Sequence, residues 1–368
     1  MRIAILGTRG IPNNYGGFEQ FAEYLSKGLT ELGHETFVYS GSDHVYQEKT
    51  WNKVHLIHKY NPERWMGTAG QFIYDLFCIL DSRRRKFDII LQLGYTSSSV
   101  WGKLLPRKAV IVTNMDGLEW KRTKYSSKVR NFLKHAEKWG VNTSDYLVAD
   151  SIGIQKYLKE RYNADSRYIA YGTDHFSKPD STTITKYGIT AYNYNMLIAR
   201  MEPENNIETI LDGVLGSDCQ MPMLVIGRYD NQFGKYLAAK YSSDERIRFL
   251  GSLYDIQVLN NLRYYSNIYF HGHSVGGTNP SLLEAMASNA LVCAHDNDFN
   301  RAILGEDALY FRSTEDVTRL MNEKISKGEY TKFTENNSVK VLNLYSWENI
   351  INQYESFFRE ISGIGKTK

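Results

Sequence analysis

The chain has 368 residues, of which 42% are hydrophobic and 13% aromatic, with 27 tyrosines and a net charge of only +3. That length is too great for one typical α/β domain and suits two, and the apolar content is enough for two buried cores. Three cysteines far apart in the chain, Cys78, Cys219 and Cys293, argue against a disulfide framework or a zinc site and fit a reducing cytosol.

Met1 leads straight into the strand-like run Arg2–Leu6, which predicts no signal peptide. No run approaches the roughly 20 apolar residues of a membrane span. Basic residues gather at Arg83–Lys86 and between Lys121 and Lys138. Solvated helix faces account for either cluster taken singly; the functional reading is attraction to an anionic membrane or a phosphate-bearing substrate. Nucleic acid is disfavoured, because no recognisable binding module accompanies the charge.

In chain order, strand-like runs at 2–6, 36–39, 54–58, 88–92, 109–113, 146–149 and 167–170 are separated by longer amphipathic segments such as 18–32 and 125–141. Alternating βα units predict a parallel sheet covered by helices, with functional residues on loops at the carboxyl ends of strands. The first such loop, Gly7 to Glu19, carries Gly16 and Gly17 at a helix start, where the backbone can approach a pyrophosphate. A dinucleotide-binding dehydrogenase competes here. It expects G-x-G-x-x-G and an acid closing the second strand, whereas the chain offers G-x-x-G and no acid until Asp43. The run 109–113 delivers Asp116 and Glu119 beside Lys121 and Arg122; Asp116 has a simpler reading as a turn or cap residue.

The polar segment Phe176–Gly188, with Pro179, reads as a linker. The expected division is a first domain over 1–175, a linker over 176–190, a second domain over 191–345 and a C-terminal helix over 346–368 packing back on the first domain. Strands are expected at 195–199, 223–226, 246–250, 267–270, 290–294 and 309–311, and helices at 207–215, 256–265 and 280–287. Residues 346–361 space their apolar side chains as a helix with one buried face, and 363–368 are expected to fray. His273 to Met286 (H-S-V-G-G-T-N-P-S-L-L-E-A-M) places a glycine turn, cap-type residues and Pro280 at the head of a helix, with Glu284 one turn in. Such a helix end attracts phosphate, and a carboxylate there can accept from a ribose or sugar hydroxyl.

Taken together, Gly7–Glu19, Asn114-Met-Asp-Gly-Leu-Glu-Trp120 and Gly276-Gly-Thr-Asn-Pro-Ser-Leu-Leu-Glu-Ala285 resemble the GT-B glycosyltransferases, specifically the retaining family 4 enzymes. Within these, the chain is similar to a subgroup that includes bacterial rhamnosyltransferases of capsule and cell-wall polysaccharide synthesis. The resemblance implies an α/β chain of two Rossmann-like domains facing each other across a cleft. It implies donor-diphosphate contacts at Gly16, Gly17 and Arg200, and sugar and phosphate contacts at Gly276, Gly277, Thr278 and Asn279. Glu284 becomes the ribose ligand and Phe249–Ser252 the segment presented to the nucleobase. Asp116 is implied as the residue that accepts or orients the acceptor hydroxyl, with Glu119 behind it. The chain departs from the pattern twice: Asn205 stands at the expected lysine and Gly276 at the first glutamate of E-x7-E. Arg9 or Arg228 would supply the missing charge, and a deoxy sugar such as the rhamnose of dTDP-L-rhamnose suits a site with one carboxylate fewer.

The expected partners are a nucleotide-sugar donor, a saccharide or lipid-linked acceptor and an anionic membrane surface, with no nucleic acid. The expected location is cytoplasmic, peripheral on the inner face of the membrane, with Trp65-Met66 and Phe72–Phe77 beside Arg83–Lys86 as a docking stretch. No metal or other cofactor is expected, although Asp296-Asn-Asp298 matches a D-x-D and His271 and His273 are ligand types. The competing functions are a GT-B sugar-nucleotide epimerase, an NAD-binding oxidoreductase and a non-catalytic nucleotide-binding protein.

Overall fold

The computed structural model describes residues 1–14, 16–122 and 125–364. Tyr15 of the first glycine loop, Thr123 and Lys124 of the basic segment, and residues 365–368 of the terminus expected to fray lie outside the described residues. The chain forms two compact units. One holds the described residues of Met1–Lys121, Tyr125–Gly172 and Trp347–Lys368; the other holds those of Arg122–Lys124 and Thr173–Ser346.

The first unit runs β1 (Arg2–Leu6), α1 (Gly17–Glu31), β2 (Glu35–Gly41), β3 (Thr50–Trp51), β4 (Val54–Lys59), α2 (Glu63–Met66), α3 (Thr68–Ser82), β5 (Ile89–Leu93), β6 (Val110–Asn114), α4 (Ser127–Thr143), β7 (Tyr146–Ala149), α5 (Ile152–Tyr162) and β8 (Arg167–Tyr168), and takes in the last helix, α14 (Trp347–Ile364). Its sheet has the order β3-β4-β2-β1-β5-β6-β7-β8. Every pairing is parallel except β3 with β4, a hairpin turned by Asn52 and Lys53 at φ 45° and 66°. The central strands carry continuous apolar runs because both faces are covered: Ile3, Ala4, Ile5, Ile89, Ile90 and Leu91 are inaccessible.

α14 is built on the predicted stripe, and Trp347, Ile350, Tyr354, Phe357, Phe358 and Ile361 are all buried. It lies on α1, where Trp347 stacks on Tyr24 at 4.5 Å and Ile351 fills the space above Gly28. A Cβ at Gly28 would stand 2.4 Å from the Ile351 Cδ1.

The second unit runs α6 (Thr182–Thr185), β9 (Asn195–Ile198), α7 (Ile207–Leu215), β10 (Met223–Ile226), α8 (Gln232–Lys240), β11 (Ile247–Gly251), α9 (Ile256–Tyr265), β12 (Tyr269–His271), α10 (Pro280–Ala287), β13 (Val292–His295), α11 (Asp298–Leu304), β14 (Leu309–Phe311), α12 (Thr314–Asn322) and α13 (Thr331–Lys340). Its sheet, β11-β10-β9-β12-β13-β14, is parallel throughout.

β12 begins two residues later than its apolar run suggests. The Asn267 side chain is spent on backbone groups, donating to the Ile325 carbonyl at 2.8 Å and accepting from the Lys327 N–H at 3.0 Å. The polar segment after Thr173 is folded onto this unit: Phe176 is buried and donates its N–H to Ala287, and Asp180 N–H donates to Asn261 Oδ1 at 2.6 Å.

Candidate functional site

In the second unit, the loops after β9 and β12 are tied together at the carboxyl edge of the sheet. Arg200 follows β9 and is exposed. Asn205, at the position where a lysine was expected, is buried and donates from Nδ2 to the Arg200 carbonyl at 2.7 Å, so it clamps the arginine loop. Asn206 Nδ2 donates to the Gly272 carbonyl at 2.7 Å, and Ser274 Oγ donates to the Glu204 carbonyl at 2.8 Å. Glycine is required at 272, where a Cβ would stand 2.0 Å from the Asn205 oxygen.

α10 opens as its sequence dictates. Asn279 is the cap, its Oδ1 accepting from Ser281 N–H at 2.9 Å, and Pro280 occupies the first turn. Ahead of it Thr278 is buried, while Gly276 has φ 141° and nothing stands within 4 Å of where its Cβ would be. Backbone dipoles converge beside open space here, an arrangement suited to a phosphate.

Glu284, one turn in, accepts from Arg263 Nη2 at 2.5 Å. Arg263 is 1% exposed and also reaches Asn260 Oδ1 at 2.9 Å. His271 and His273 stack with ring centres 4.4 Å apart. Burial, then His273 and the Arg263 charge, hold His271 well below the usual imidazole range. Burial, then the Arg200 and Arg122 charges, bring His273 down to about 3. The pair is therefore neutral at physiological pH.

In the first unit, Gly16 caps α1 and Gly17 is its first residue. Glu19 is turned inward, 3% exposed, and its Oε1 accepts from the Arg9 N–H at 2.9 Å. This fixes the loop after β1 against the first turn of α1. Asp116 follows β6 with φ 52°, in the left-handed region, and its N–H donates to Asn114 Oδ1 at 3.1 Å. The turn role anticipated for it is real, and a left-handed non-glycine at a strand exit is also the kind of strain that gathers at functional sites. Glu119 lies in a short 3-10 turn and accepts from Tyr125 Oη at 3.5 Å.

Other candidates are committed to local partners. Arg9 forks onto Glu63 at 2.8 and 2.6 Å, and Arg228 onto Asp230 at 2.7 and 2.6 Å. Asp296 of the D-x-D pairs with Arg301 and Arg312. Among the described residues, no group of three or more His, Cys, Asp or Glu is placed to hold a metal ion.

Three residues escaped the sequence reading. Arg263 and Glu137 each sit in the buried stripe of a helix, and an isolated charge in such a stripe was the available signal. Asp75, in α3, is buried and accepts from Ser97 Oγ at 2.5 Å. Burial pushes its carboxyl up to about 6.

Residues 1–174 match a family model described as a domain of unknown function, DUF1972. No curated protein matches the chain. Among solved structures, sucrose-phosphate synthase from Thermosynechococcus elongatus superposes with a TM-score of 0.82 at 16% identity, covering 99% of this chain and 100% of that one. Anabaena Alr3699/HepE in complex with UDP and glucose gives a TM-score of 0.77 at 16% identity, covering 98% and 100%. WaaG, a glycosyltransferase involved in lipopolysaccharide biosynthesis, gives 0.71 at 14% identity, covering 99% and 100%. The fold is that of the GT-B glycosyltransferases.

Proposed function

We propose that the chain is a glycosyltransferase that moves a sugar from a nucleoside diphosphate sugar onto a saccharide acceptor. The observation that carries this reading is the head of α10, where open backbone at Gly276, followed by Gly277, adjoins the Asn279 cap, neutral imidazoles and the Arg200 loop. These groups suit a diphosphate, and Glu284 suits a ribose. Gly16 and Gly17 contribute from the first unit.

The bond between the anomeric carbon and the diphosphate oxygen breaks. The acceptor hydroxyl oxygen forms the new bond on the same face, and its proton passes to the departing phosphate. Arg200 and the backbone dipoles stabilise charge that is greater in the transition state than in the bound donor. Asp116 orients the acceptor hydroxyl, with Glu119 as the second carboxylate. No metal takes part.

The donor we favour is dTDP-L-rhamnose, because Gly276 removes a carboxylate that would otherwise bind a sugar hydroxyl. HepE is described with UDP and glucose, so UDP-glucose is the first donor to compare. The acceptor is a lipid-linked saccharide of cell-surface polysaccharide synthesis at an anionic inner membrane face. Trp65 is 80% and Met66 51% exposed on α2, beside Arg64, and Arg83–Lys86 are exposed as well. Among the described residues, no helix is long and apolar enough to cross a membrane.

The test is Asp116→Asn, which keeps a residue tolerant of left-handed backbone. Transfer falls by about a hundredfold or more while donor binding stays unchanged. Near-normal transfer would remove Asp116 from the chemistry, and an isomerised sugar formed without acceptor would point to an epimerase.

A further inference from the structure

Trp120, Lys134, Lys138, Tyr157, Arg161 and Tyr162 of the first unit, with His135, line an open cavity of about 580 Å3 between α4 and α5. Its aromatic wall is fixed from behind. Glu137, 2% exposed, accepts from Tyr162 Oη at 2.6 Å, Tyr157 Oη at 2.7 Å, Trp120 Nε1 at 3.2 Å and Tyr95 Oη at 3.2 Å. Four donors use the whole accepting capacity of one carboxylate. The negative charge of Glu137 is therefore spent on orienting three of the rings that line or back the cavity, and a fourth beneath it.

In front of that wall the charge is positive and uncompensated. Lys134, Lys138 and Arg161 are exposed, and among the described residues none has a carboxylate oxygen within 4.0 Å. The Lys134 ammonium stands 4.8 Å from the Trp120 ring centre, so cation and indole face are presented together. A solvated helix face needs neither a buried carboxylate holding aromatic rings nor a cavity between them. Rigid aromatic surface beside converging cations matches a ligand with an apolar ring face and a compact anion, which is the chemistry of a phosphorylated pyranose.

We propose that this cavity binds the glycosyl phosphate or diphosphate portion of the acceptor, with the sugar ring on Trp120 and the phosphate among Lys134, Lys138 and Arg161. Glu137 is a positioning residue for that wall. The proposal rests on the reading that the chain glycosylates a saccharide, and deepens it by naming where and by what chemistry the acceptor would be held.

The test follows the indole N–H resonance of Trp120, assigned with Trp120→Phe, in the full chain labelled at its tryptophans. The probes are glucose 1-phosphate, inorganic phosphate, methyl α-glucoside and a phytanyl diphosphate-linked glucose in detergent. The proposal expects saturable shifts with glucose 1-phosphate, smaller ones with inorganic phosphate and none with the neutral glucoside. Tighter binding of the phytanyl diphosphate compound assigns the site to lipid-linked acceptors, and equal binding assigns it to soluble sugar phosphates. The triple reversal K134E/K138E/R161E weakens glucose 1-phosphate at least tenfold; Lys138→Glu alone serves if the triple variant does not fold. The proposal is overturned if Trp120 does not respond to either phosphorylated sugar. It is equally overturned if the reversed variant binds as the parent does, or if inorganic phosphate alone reproduces the full shift. Nucleotide-sugar binding by the reversed variant, followed by thermal shift, stays at the parental level. Its absence from the parent as well would count against the transferase reading and leave the cavity result standing.

Discussion

At the scale of single residues, the contrast is between groups whose chemistry shows in a motif and groups whose chemistry depends on a partner far away in sequence. The position of Glu284, one turn into α10, was legible from its place in P-S-L-L-E-A-M. Its ion pair was not, because Arg263 lies 21 residues back on another helix. That pair changes how Glu284 is tested. Glu284→Ala strands a buried guanidinium, at a cost of about 3–5 kcal/mol, and loses stability and nucleotide binding together. Glu284→Gln keeps an oxygen for Arg263; it should retain most of the stability while nucleotide affinity drops several-fold, measured by denaturation and calorimetry side by side. Unchanged affinity in the glutamine variant would reject the ribose role.

His271 gives a second residue-scale prediction. Its folded pKa lies well below 6.5, so between those values the unfolded chain takes a proton that the folded chain refuses. Stability is therefore fully present above about pH 6.5 and is lost as the pH falls, by roughly 1.4 kcal/mol per unit for one such group. Denaturant titrations at pH 7 and pH 5 should show His271→Phe losing about 2 kcal/mol less than the parent over that interval. Equal losses would mean that the ring is protonated in the folded state.

At the scale of elements, helices with a clear apolar stripe were read closely. α7, α9 and α10 occupy the expected spans because burial of one face decides them. The β3–β4 hairpin was not legible, since a lysine at φ 66° violates the usual turn preference. α3 has apolar residues on its outer side too: Phe77 and Leu80 are each 40% exposed, while Tyr74, Cys78 and Ile79 are buried. Its apolar residues are therefore not confined to one face.

The seat of α14 on α1 depends on the absence of a side chain at Gly28. Gly28→Ala should destabilise the chain by about 1–3 kcal/mol through overpacking against Ile351. Gly28→Ala with Ile351→Ala should recover part of that loss, because the pair shares one volume. Strictly additive losses in a double-mutant cycle would show that the two side chains do not meet.

At the scale of the molecule, the two parallel sheets were legible from the alternation of strands and helices, and the GT-B fold from three motifs taken together. The substrate was not legible, because Asn205 and Gly276 stand where the resemblance expects charge, and Arg9 and Arg228, the proposed substitutes, are both paired with carboxylates. Under the proposed function, the charge balance at the diphosphate would therefore fall on Arg200 and on the head of α10. The most direct measurement of that claim is a thermal-shift panel of UDP-, dTDP- and GDP-sugars on the parent and on Arg200→Ala. A ligand that binds only the folded state raises the melting temperature with its occupancy. The account predicts that at least one nucleotide sugar, dTDP-L-rhamnose first, raises the melting temperature of the parent, and that Arg200→Ala abolishes most of the rise. No rise with any of them, or an equal rise in the variant, would contradict it.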